Sequence, residues 1–297
     1  MKKANLKKKS FTLPLKKNQA SPNSLRSRRV EIWTLPARDR GLEETMVEYA
    51  PFPGLHRDLD RYRRYLLSEL RFLAQRSWRE TPIRDIPFHP LIRDDKTWEA
   101  KAESYGPFQR IKIKCAGRSL DDDIHFFHAL CRRFPRAQFR VDANRLWDEK
   151  TFRRFGERID LSRIDYFEEP TPNALALTQD FPIALDETLL AYGERPDELR
   201  TPKALILKPH LYEDMEQVLN LIRWADQKKI PAIMSSLFNS SVGTQNLLRL
   251  TCLCHGDSPQ GLDPLFHLEG DVVQNPLKAE GPHFPAREVT KRLVLKS

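Results

Sequence analysis

Short apolar segments alternate with amphipathic segments from about residue 87 onward, and this alternation restricts the possible folds more than any other feature of the chain. Each apolar segment has the length of a buried strand, and each amphipathic segment has apolar residues at helical spacing. Strands that alternate with helices build a parallel sheet. Eight segments are predicted to be strands: Pro87–Ile92, Gln109–Cys115, Gln138–Ala143, Asp165–Pro170, Ile183–Glu187, Ala204–Pro209, Pro231–Ser236 and Gln260–Pro264. Five segments between them are predicted to be helices: Leu120–Arg133, Glu149–Ile159, Ala174–Asp180, Tyr212–Lys229 and Val242–Cys254.

Charged residues close five consecutive predicted strands. They lie 18 to 28 residues apart, which is about one strand-plus-helix unit. This repeat predicts an α/β fold built on a TIM-type (β/α) barrel, whose active site lies at the carboxyl ends of the strands. An open doubly wound sheet is the alternative, but it would gather its ligands at a single switch point. The closing charges are Lys112 and Lys114, then Asp142, Glu168, Asp186 and Lys208.

The first 86 residues do not show the alternation of apolar and amphipathic segments that begins at about residue 87. Val30–Leu35 is predicted to be a strand, Tyr49–Leu55 a loop with proline and glycine, and Leu59–Gln75 a basic amphipathic helix. This is too little for a large independent domain, so we expect a shortened α+β capping domain that packs on the barrel. The predicted organisation is a tail and cap in residues 1–86, a barrel in 87–270, and a segment in 271–297 that returns to the cap.

The positive charge of the chain is concentrated at its start. The net charge is +9, and residues 1–30 contain seven lysines, three arginines and no acidic residue. The other 267 residues therefore carry a net charge near −1. We interpret the start as a solvated tail, and the lack of aromatic residues in residues 1–10 argues against nucleic acid as a partner.

The apolar stretches are all shorter than the roughly 20 residues that a membrane span needs, and the N-terminus lacks the apolar core of a secretory signal. We therefore expect no membrane span and a cytoplasmic location. The sequence leaves the oligomeric state open.

Three of the closing charges are carboxylates that can share a divalent cation. Asp142, Glu168 and Asp186 offer the hard oxygen ligands that Mg²⁺ prefers, with Mn²⁺ as the substitute. Three protein ligands would leave positions open for a small-molecule carboxylate substrate. Removing the α-proton of such a substrate produces an enediolate, whose charge an adjacent Mg²⁺ stabilises.

The lysines are candidates for the proton transfer. Lys112 and Lys114 point to the same face of one strand, and one cation lowers the pKa of the next. Lys114 is nearer the strand end and is the better candidate base, while Lys112 would tune it and help to bind the carboxylate. Lys208 comes from the opposite part of the ring and acts either as a second acid/base or as a fixed cation. The other predicted substrate-binding residues are Arg140, Asn144, Ser235 and Ser236, with the two serines as donors to a distal carboxylate.

These motifs resemble the enolase superfamily, and within it the o-succinylbenzoate synthases of the muconate-lactonizing-enzyme-like subgroup. Lys112-Ile-Lys114 is similar to the Lys-x-Lys of that subgroup, and Arg140-Val-Asp142-Ala-Asn144 to its Asp-Ala-Asn. Glu168-Glu169-Pro170, Asp186-Glu187 and Lys208-Pro209 match the next three strand ends. The resemblance covers roughly residues 105–280. It implies a modified (β/α)7β barrel with an α+β cap built from both chain ends.

The resemblance also implies an activity. Mg²⁺ would be held by Asp142, Glu168 and Asp186, and the reaction would be the syn dehydration of 2-succinyl-6-hydroxy-2,4-cyclohexadiene-1-carboxylate to 2-succinylbenzoate in menaquinone biosynthesis. Lys114 would remove the α-proton and return it to the departing hydroxide, and Lys208 would act as a cation. The alternatives are an N-acylamino acid racemase or dipeptide epimerase, and a barrel that has lost catalysis and serves as a binding protein.

Overall fold

The N-terminal part of the chain forms a small antiparallel sheet and one helix. A computed structural model describes residues 6–15, 27–37, 44–52, 56, 58–76, 78, 81–93, 99, 108–263 and 268–297. The sheet has the order β1-β2-β3. Its strands are β1 (Lys7–Pro14), β2 (Ser27–Leu35) and β3 (Thr45–Tyr49), followed by helix α1 (Leu59–Ala74). We call these four elements the cap. The predicted strand at 30–35 and helix at 59–75 are confirmed, whereas residues 53–55 of the predicted loop lie outside the described residues.

The prediction of a solvated tail is wrong for part of the basic start. Lys7, Lys8 and Lys9 belong to β1, which pairs with β2 along its whole length, from Lys7 opposite Thr34 to Pro14 opposite Ser27. The lysines are exposed on an edge strand, while Leu13 is buried. Lysines on an edge strand discourage pairing with other chains, so a charged segment can still be a strand. The tail prediction for residues 1–5 lies outside the described part of the chain.

A parallel sheet of seven strands forms the rest of the fold, and its strands are arranged in chain order. The short strand β4 (Ile86–Pro87) precedes them. The seven are β5 (Leu91–Arg93), β6 (Arg110–Lys114), β7 (Gln138–Asp142), β8 (Ile164–Glu168), β9 (Ile183–Leu185), β10 (Ala204–Leu207) and β11 (Ala232–Met234). Parallel bridges from Gln260 to Phe88 and from Gly261 to Ser235 connect the two edges of this sheet. The predicted parallel barrel is confirmed, and Pro264 of the eighth predicted strand lies outside the described residues.

Helices on the outside of the sheet occur where the sequence predicts them; the helix Leu120–Arg133 has the predicted ends, and the others have shifted ends. They are α2 (Leu120–Arg133), α3 (Glu149–Glu157), α4 (Met215–Lys228) and α5 (Ser241–Thr251). The segment Ala174–Gln179 is a 3-10 helix rather than an α-helix. Helix α4 begins later than predicted because the Asp214 side chain accepts a hydrogen bond from the Gln217 N–H and caps the helix there. None of the described helices is both long and apolar enough to cross a membrane.

The cap is attached to the barrel through two buried charged residues. Glu48 on β3 accepts hydrogen bonds from the N–H groups of Ser240 (2.9 Å) and Gly243 (3.1 Å) at the start of α5. Arg28 on β2 donates to the Phe238 carbonyl (2.8 Å) in the loop before that helix. The positive end of the helix dipole stabilises the carboxylate. The loop between β11 and α5 is therefore held from the cap side.

The last part of the chain contacts both the cap and the barrel. The N–H of Glu269 donates to the Pro14 carbonyl at the end of β1 (3.0 Å). A last strand, β12 (His283–Phe284), pairs with β4, and a short helix α6 (Ala286–Val289) follows. The domain boundaries at residues 86 and 270 stay a prediction.

Candidate active site

Seven charged side chains gather at the carboxyl ends of β6 to β10. We call this group the rim cluster: Lys112, Lys114, Asp142, Glu168, Asp186, Glu187 and Lys208. Strand register explains the meeting, because Lys114 lies opposite Asp142 on β7, and Asp142 lies opposite Glu168 on β8. These two carboxylates are 2% and 1% exposed, respectively. All six residues predicted to be catalytic, metal-binding or base-tuning at the strand ends are therefore in one group, which is buried or half-buried.

Lys112 joins two of the carboxylates. Its Nζ lies 2.6 Å from both carboxylate oxygens of Glu168 and 2.8 Å from Oδ2 of Asp142. Burial opposes the charged form of Lys112, but the charges of Asp142 and Glu168 outweigh it and raise the pKa of the lysine. Lys112 is therefore a fixed cation.

Lys114 is in a different electrostatic state from Lys112. Its Nζ contacts Oδ2 of Asp142 and donates to Oδ1 of Asn144 at 2.9 Å. Burial, together with the positive charge of Lys112, lowers the pKa of Lys114 below its ordinary value of 10.5. A lowered pKa makes a lysine a better candidate for a general base, because more of it is unprotonated at a given pH. The sequence prediction gives Lys114 this role for the same physical reason.

Lys208 lies on the far side of the carboxylates, just after β10. Its Nζ contacts the Asp186 carboxylate and lies 3.2 Å from Oε1 of Glu187. Burial opposes its charge, but Asp186 and Glu187 outweigh burial and raise the pKa of Lys208. The two sides of the cluster thus have one lysine whose pKa is lowered and one whose pKa is raised.

The carboxylates match a divalent cation in chemistry and in charge. The described residues contain no group of three or more histidine, cysteine, aspartate or glutamate side chains arranged to hold a metal ion. Lysine ammonium groups contact the carboxylates instead, Lys112 on Glu168 and Lys208 on Asp186. The rim cluster has four carboxylates and three lysines. The formal charge of these groups is therefore −1, so the cluster favours a bound cation. Burial and the charge of Asp142 both raise the pKa of Glu168, so an added cation would relieve real repulsion.

Arg140 does not reach the rim. Its guanidinium is completely buried and donates to Asp165 Oδ2 (2.8 Å), the Pro259 carbonyl (2.6 Å) and Ser258 Oγ (2.9 Å). Arg140 precedes Asp142 by two residues, so it shares the strand face but points deeper into the fold. The assignment of Arg140 to substrate binding is therefore corrected, because its donors are used for internal structure.

The two serines at the end of β11, which were predicted to bind substrate, differ in their surroundings. The Ser236 hydroxyl is 3.2 Å from both Oδ1 and N–H of Asn239, so it forms the turn that leads to α5. Its N–H donates to the Gly261 carbonyl. Ser236 is therefore engaged in structure rather than poised to bind a substrate. Ser235 is only partly buried, and its role in substrate binding stays a prediction.

Two acidic residues matter here that the sequence prediction left without a role. Glu187 is the second contact of Lys208. Glu169 is buried behind Glu168 and accepts a hydrogen bond from the Asp186 N–H (2.9 Å). Both follow a predicted ligand directly in sequence, and that adjacency was the available signal.

Comparison with known proteins identifies the family of this chain. The sequence profile described as enolase C-terminal domain-like matches residues 95–289. The o-succinylbenzoate synthase of Pasteurella multocida is 29% identical over 190 residues, covering 58% of this chain and 56% of that protein. The o-succinylbenzoate synthase of Aliivibrio fischeri strain ES114 is 33% identical over 143 residues, covering 45% of this chain and 44% of that protein. The matched region thus spans about half the length of these curated relatives.

Solved structures share the fold over nearly the whole chain. The L-Ala-D/L-Glu epimerase from Bacillus subtilis superposes with a TM-score of 0.78 at 14% identity, covering 96% of both chains. The o-succinylbenzoate synthase from Thermosynechococcus elongatus, complexed with Mg, has a TM-score of 0.68 at 19% identity and covers 90% of this chain and 94% of the other. Because the family profile matches about two thirds of its residues, the chain belongs to the enolase C-terminal domain-like family.

Proposed function

We propose that the protein is a Mg²⁺-dependent hydro-lyase that dehydrates 2-succinyl-6-hydroxy-2,4-cyclohexadiene-1-carboxylate to 2-succinylbenzoate. The curated relatives with this name support the substrate. The observation that carries the chemistry is the contrast between Lys114, whose pKa is lowered, and Lys208, whose pKa is raised. A reaction on one face of a substrate needs one base and one fixed cation, and this pair supplies both.

The protein groups divide the work as follows. The Lys114 amine removes the α-proton of the substrate, and the ammonium that forms returns this proton to the hydroxyl group leaving from the same face. The proton lost from carbon thus departs in the water molecule that is released. Lys112 and Lys208 stay charged and stabilise the negative charge on the substrate carboxylate. Asn144 accepts a hydrogen bond from Lys114 and fixes the position of its amine.

We propose Asp142, Glu168 and Asp186 as the residues that would hold Mg²⁺. When bound, the ion would neutralise the charge that develops on the substrate carboxylate. These oxygens are hard ligands from three neighbouring strand ends, and two of the three now contact the same nitrogen, Nζ of Lys112. The proposal includes a part in menaquinone biosynthesis and a cytoplasmic location.

The decisive experiment is a dehydration assay with the purified protein, the cyclohexadiene substrate and Mg²⁺. We expect formation of 2-succinylbenzoate, a loss of about 10²- to 10⁴-fold in kcat for Lys114→Ala, and little change for the exposed Lys203→Ala, which is the matched control. Absence of product from the wild-type protein at millimolar Mg²⁺ would reject the function. Normal turnover by Lys114→Ala would reject the role of that lysine.

A second candidate is a racemase or epimerase of the same fold. Lys114 and Lys208 flank the carboxylates from separate strands, which is the arrangement that proton exchange on two faces would use. The Bacillus subtilis protein that shares this fold is named for such an activity. Incubation of N-acylamino acids and dipeptides in deuterated water distinguishes the two functions, since only the epimerase would incorporate α-deuterium with loss of stereochemistry.

A noncatalytic binding protein is the candidate from another class. The completeness of the rim cluster argues against it, because a barrel without catalysis has no need of three lysines in contact with four carboxylates. It would bind carboxylates without turnover of either set of substrates. The dehydration and deuterium experiments together would reveal this outcome.

A further inference from the structure

Behind the rim cluster, three side chains form a connected hydrogen-bond group that we call the strand-end bridge: Arg145, Glu169 and Thr188. Glu169 is 1% exposed. Its Oε2 accepts from Nε of Arg145 (2.9 Å) and from the Thr188 hydroxyl (3.0 Å). Nη2 of Arg145 lies 2.6 Å from the same hydroxyl, which closes the triangle. All three members therefore contact one another.

The bridge also holds main chain. Oε1 of Glu169 accepts from the N–H groups of Asp186 and Thr188, both at 2.9 Å. The Arg145 N–H donates to the Glu169 carbonyl at 2.7 Å, and the Glu169 N–H donates to the Ala184 carbonyl at 3.1 Å. The backbone segments after β7, β8 and β9 are therefore fastened to one another directly.

The members of the bridge come from the same three strand ends as the predicted metal ligands. Arg145 follows Asp142 by three residues, Glu169 follows Glu168 by one, and Thr188 follows Asp186 by two. Each carboxylate thus has a bridge residue on its own turn. A change in the bridge would change the spacing of the carboxylates.

The turns that carry the bridge adopt an unfavourable backbone conformation. Arg145 has φ of 62° and Glu169 has φ of 39°, both in the left-handed region that residues with a Cβ atom seldom occupy. Such residues persist only where their surroundings hold them, and they concentrate at functional sites. The hydrogen bonds of the bridge are the contacts that hold these two.

We propose that the strand-end bridge positions Asp142, Glu168 and Asp186 at the spacing that Mg²⁺ requires, so that the affinity for Mg²⁺ depends on Glu169 although Glu169 does not bind the ion. This inference rests on the proposed function. Mg²⁺ tolerates little departure from octahedral geometry, and three carboxylates that repel one another move apart unless they are fixed. Groups that orient ligands from behind typically affect metal affinity by 10- to 100-fold.

The test compares Mg²⁺ dissociation constants of purified full-length variants, measured by titration calorimetry without substrate. Glu169→Gln keeps an oxygen for the two backbone N–H groups but presents an amide donor to Arg145. Thr188→Val removes only the hydroxyl and keeps the shape of the side chain. The matched control is Glu149→Gln, which breaks an exposed ion pair with Arg153 on α3 and lies in no contact with the bridge.

We expect a dissociation constant about 10- to 100-fold higher for Glu169→Gln, a smaller increase for Thr188→Val, and no change for the control. The thermal midpoint of each variant without Mg²⁺ is measured in parallel, and a purely structural role would lower this midpoint while leaving the dissociation constant unchanged. An unchanged dissociation constant for Glu169→Gln overturns the inference. If Glu169→Gln cannot be purified, Thr188→Val decides, and an unchanged constant again overturns it. Failure of the wild-type protein to bind Mg²⁺ would instead refute the proposed function.

Discussion

A buried acid on the cap helix makes the stability of this protein depend on pH. Glu69 lies on α1 and is 1% exposed, and its Oε2 has no hydrogen-bond partner among the described residues. Burial, with a smaller contribution from the charge of Glu48 and against the opposing charge of Arg249, raises the pKa of Glu69 from 4.5 to about 8. We predict that Glu69→Gln removes the contribution of this carboxyl group to the pH dependence of folding.

The sign follows from proton linkage. Below pH 4.5 the carboxyl group is protonated in the folded and the unfolded chain, so it imposes no ionisation penalty. As the pH rises from 4.5 to about 8, only the unfolded chain readily releases the proton, and the folded state loses stability. At about 1.4 kcal/mol per pH unit, the loss reaches roughly 5 kcal/mol above pH 8. The loss is absent in Glu69→Gln, because an amide does not ionise.

Urea unfolding between pH 5 and pH 8.5 measures this effect. The free energy of unfolding of Glu69→Gln relative to wild type should rise by about 4 kcal/mol over that range. The other titrating groups, Glu48 among them, are present in both proteins and largely cancel in the difference. Glu216→Gln, a substitution at an exposed position on α4, should give a flat difference. A difference for Glu69→Gln that stays within about 1 kcal/mol would refute the reasoning.

Three further substitutions test the cap attachment and the metal site. Gly243→Ala would place a Cβ atom 2.8 Å from Oε2 of Glu48, and we expect a loss of about 1–3 kcal/mol in the free energy of unfolding, measured in urea. Arg28→Met would leave a buried carboxylate without its countercharge, and a loss of about 3–5 kcal/mol is expected in the same assay; a loss below about 1 kcal/mol would contradict the importance given to this pair. In differential scanning, Mg²⁺ should raise the thermal midpoint of the wild-type protein but not that of Asp186→Asn, and an equal rise in both would remove Asp186 from the proposed ligand set.

Sequence patterns were sufficient for the barrel because its strands are short and largely buried, and charged residues follow several of them. All residues of β9, β10 and β11 are buried, so these strands read as continuous apolar runs. The strand pattern also predicted that the rim residues lie close together, because neighbouring parallel strands have their carboxyl ends at one edge of the sheet. Lys114 and Asp142 are directly opposite each other in register.

Two kinds of feature could not be predicted from sequence periodicity: how deep in the barrel a side chain lies, and which distant segments of the chain contact each other. The two-residue repeat of a strand assigns Arg140 to the same face as Asp142 but does not tell how far along the barrel axis its guanidinium reaches. The hydrogen bonds of Glu48 to Ser240 join residues 192 positions apart, and the local sequence around either residue does not predict them. The strand at 7–14 was not predicted because its lysines give it the composition of a tail. Its pairing with β2, a separate segment of the chain, is what stabilises it as a strand.

The Glu48 carboxylate of the cap binds the first turn of α5 in the barrel. The cap and the barrel must therefore change together in evolution. If the barrel were combined with the cap of a relative, the N–H groups of Ser240 and Gly243 would lose their acceptor. They would stay paired only if the new cap also supplied an acidic side chain at that place. A transplanted cap would likewise need the carbonyl of Phe238 for its arginine. Replacement of the cap of this protein by that of a relative should therefore succeed only when the loop before α5 is replaced with it.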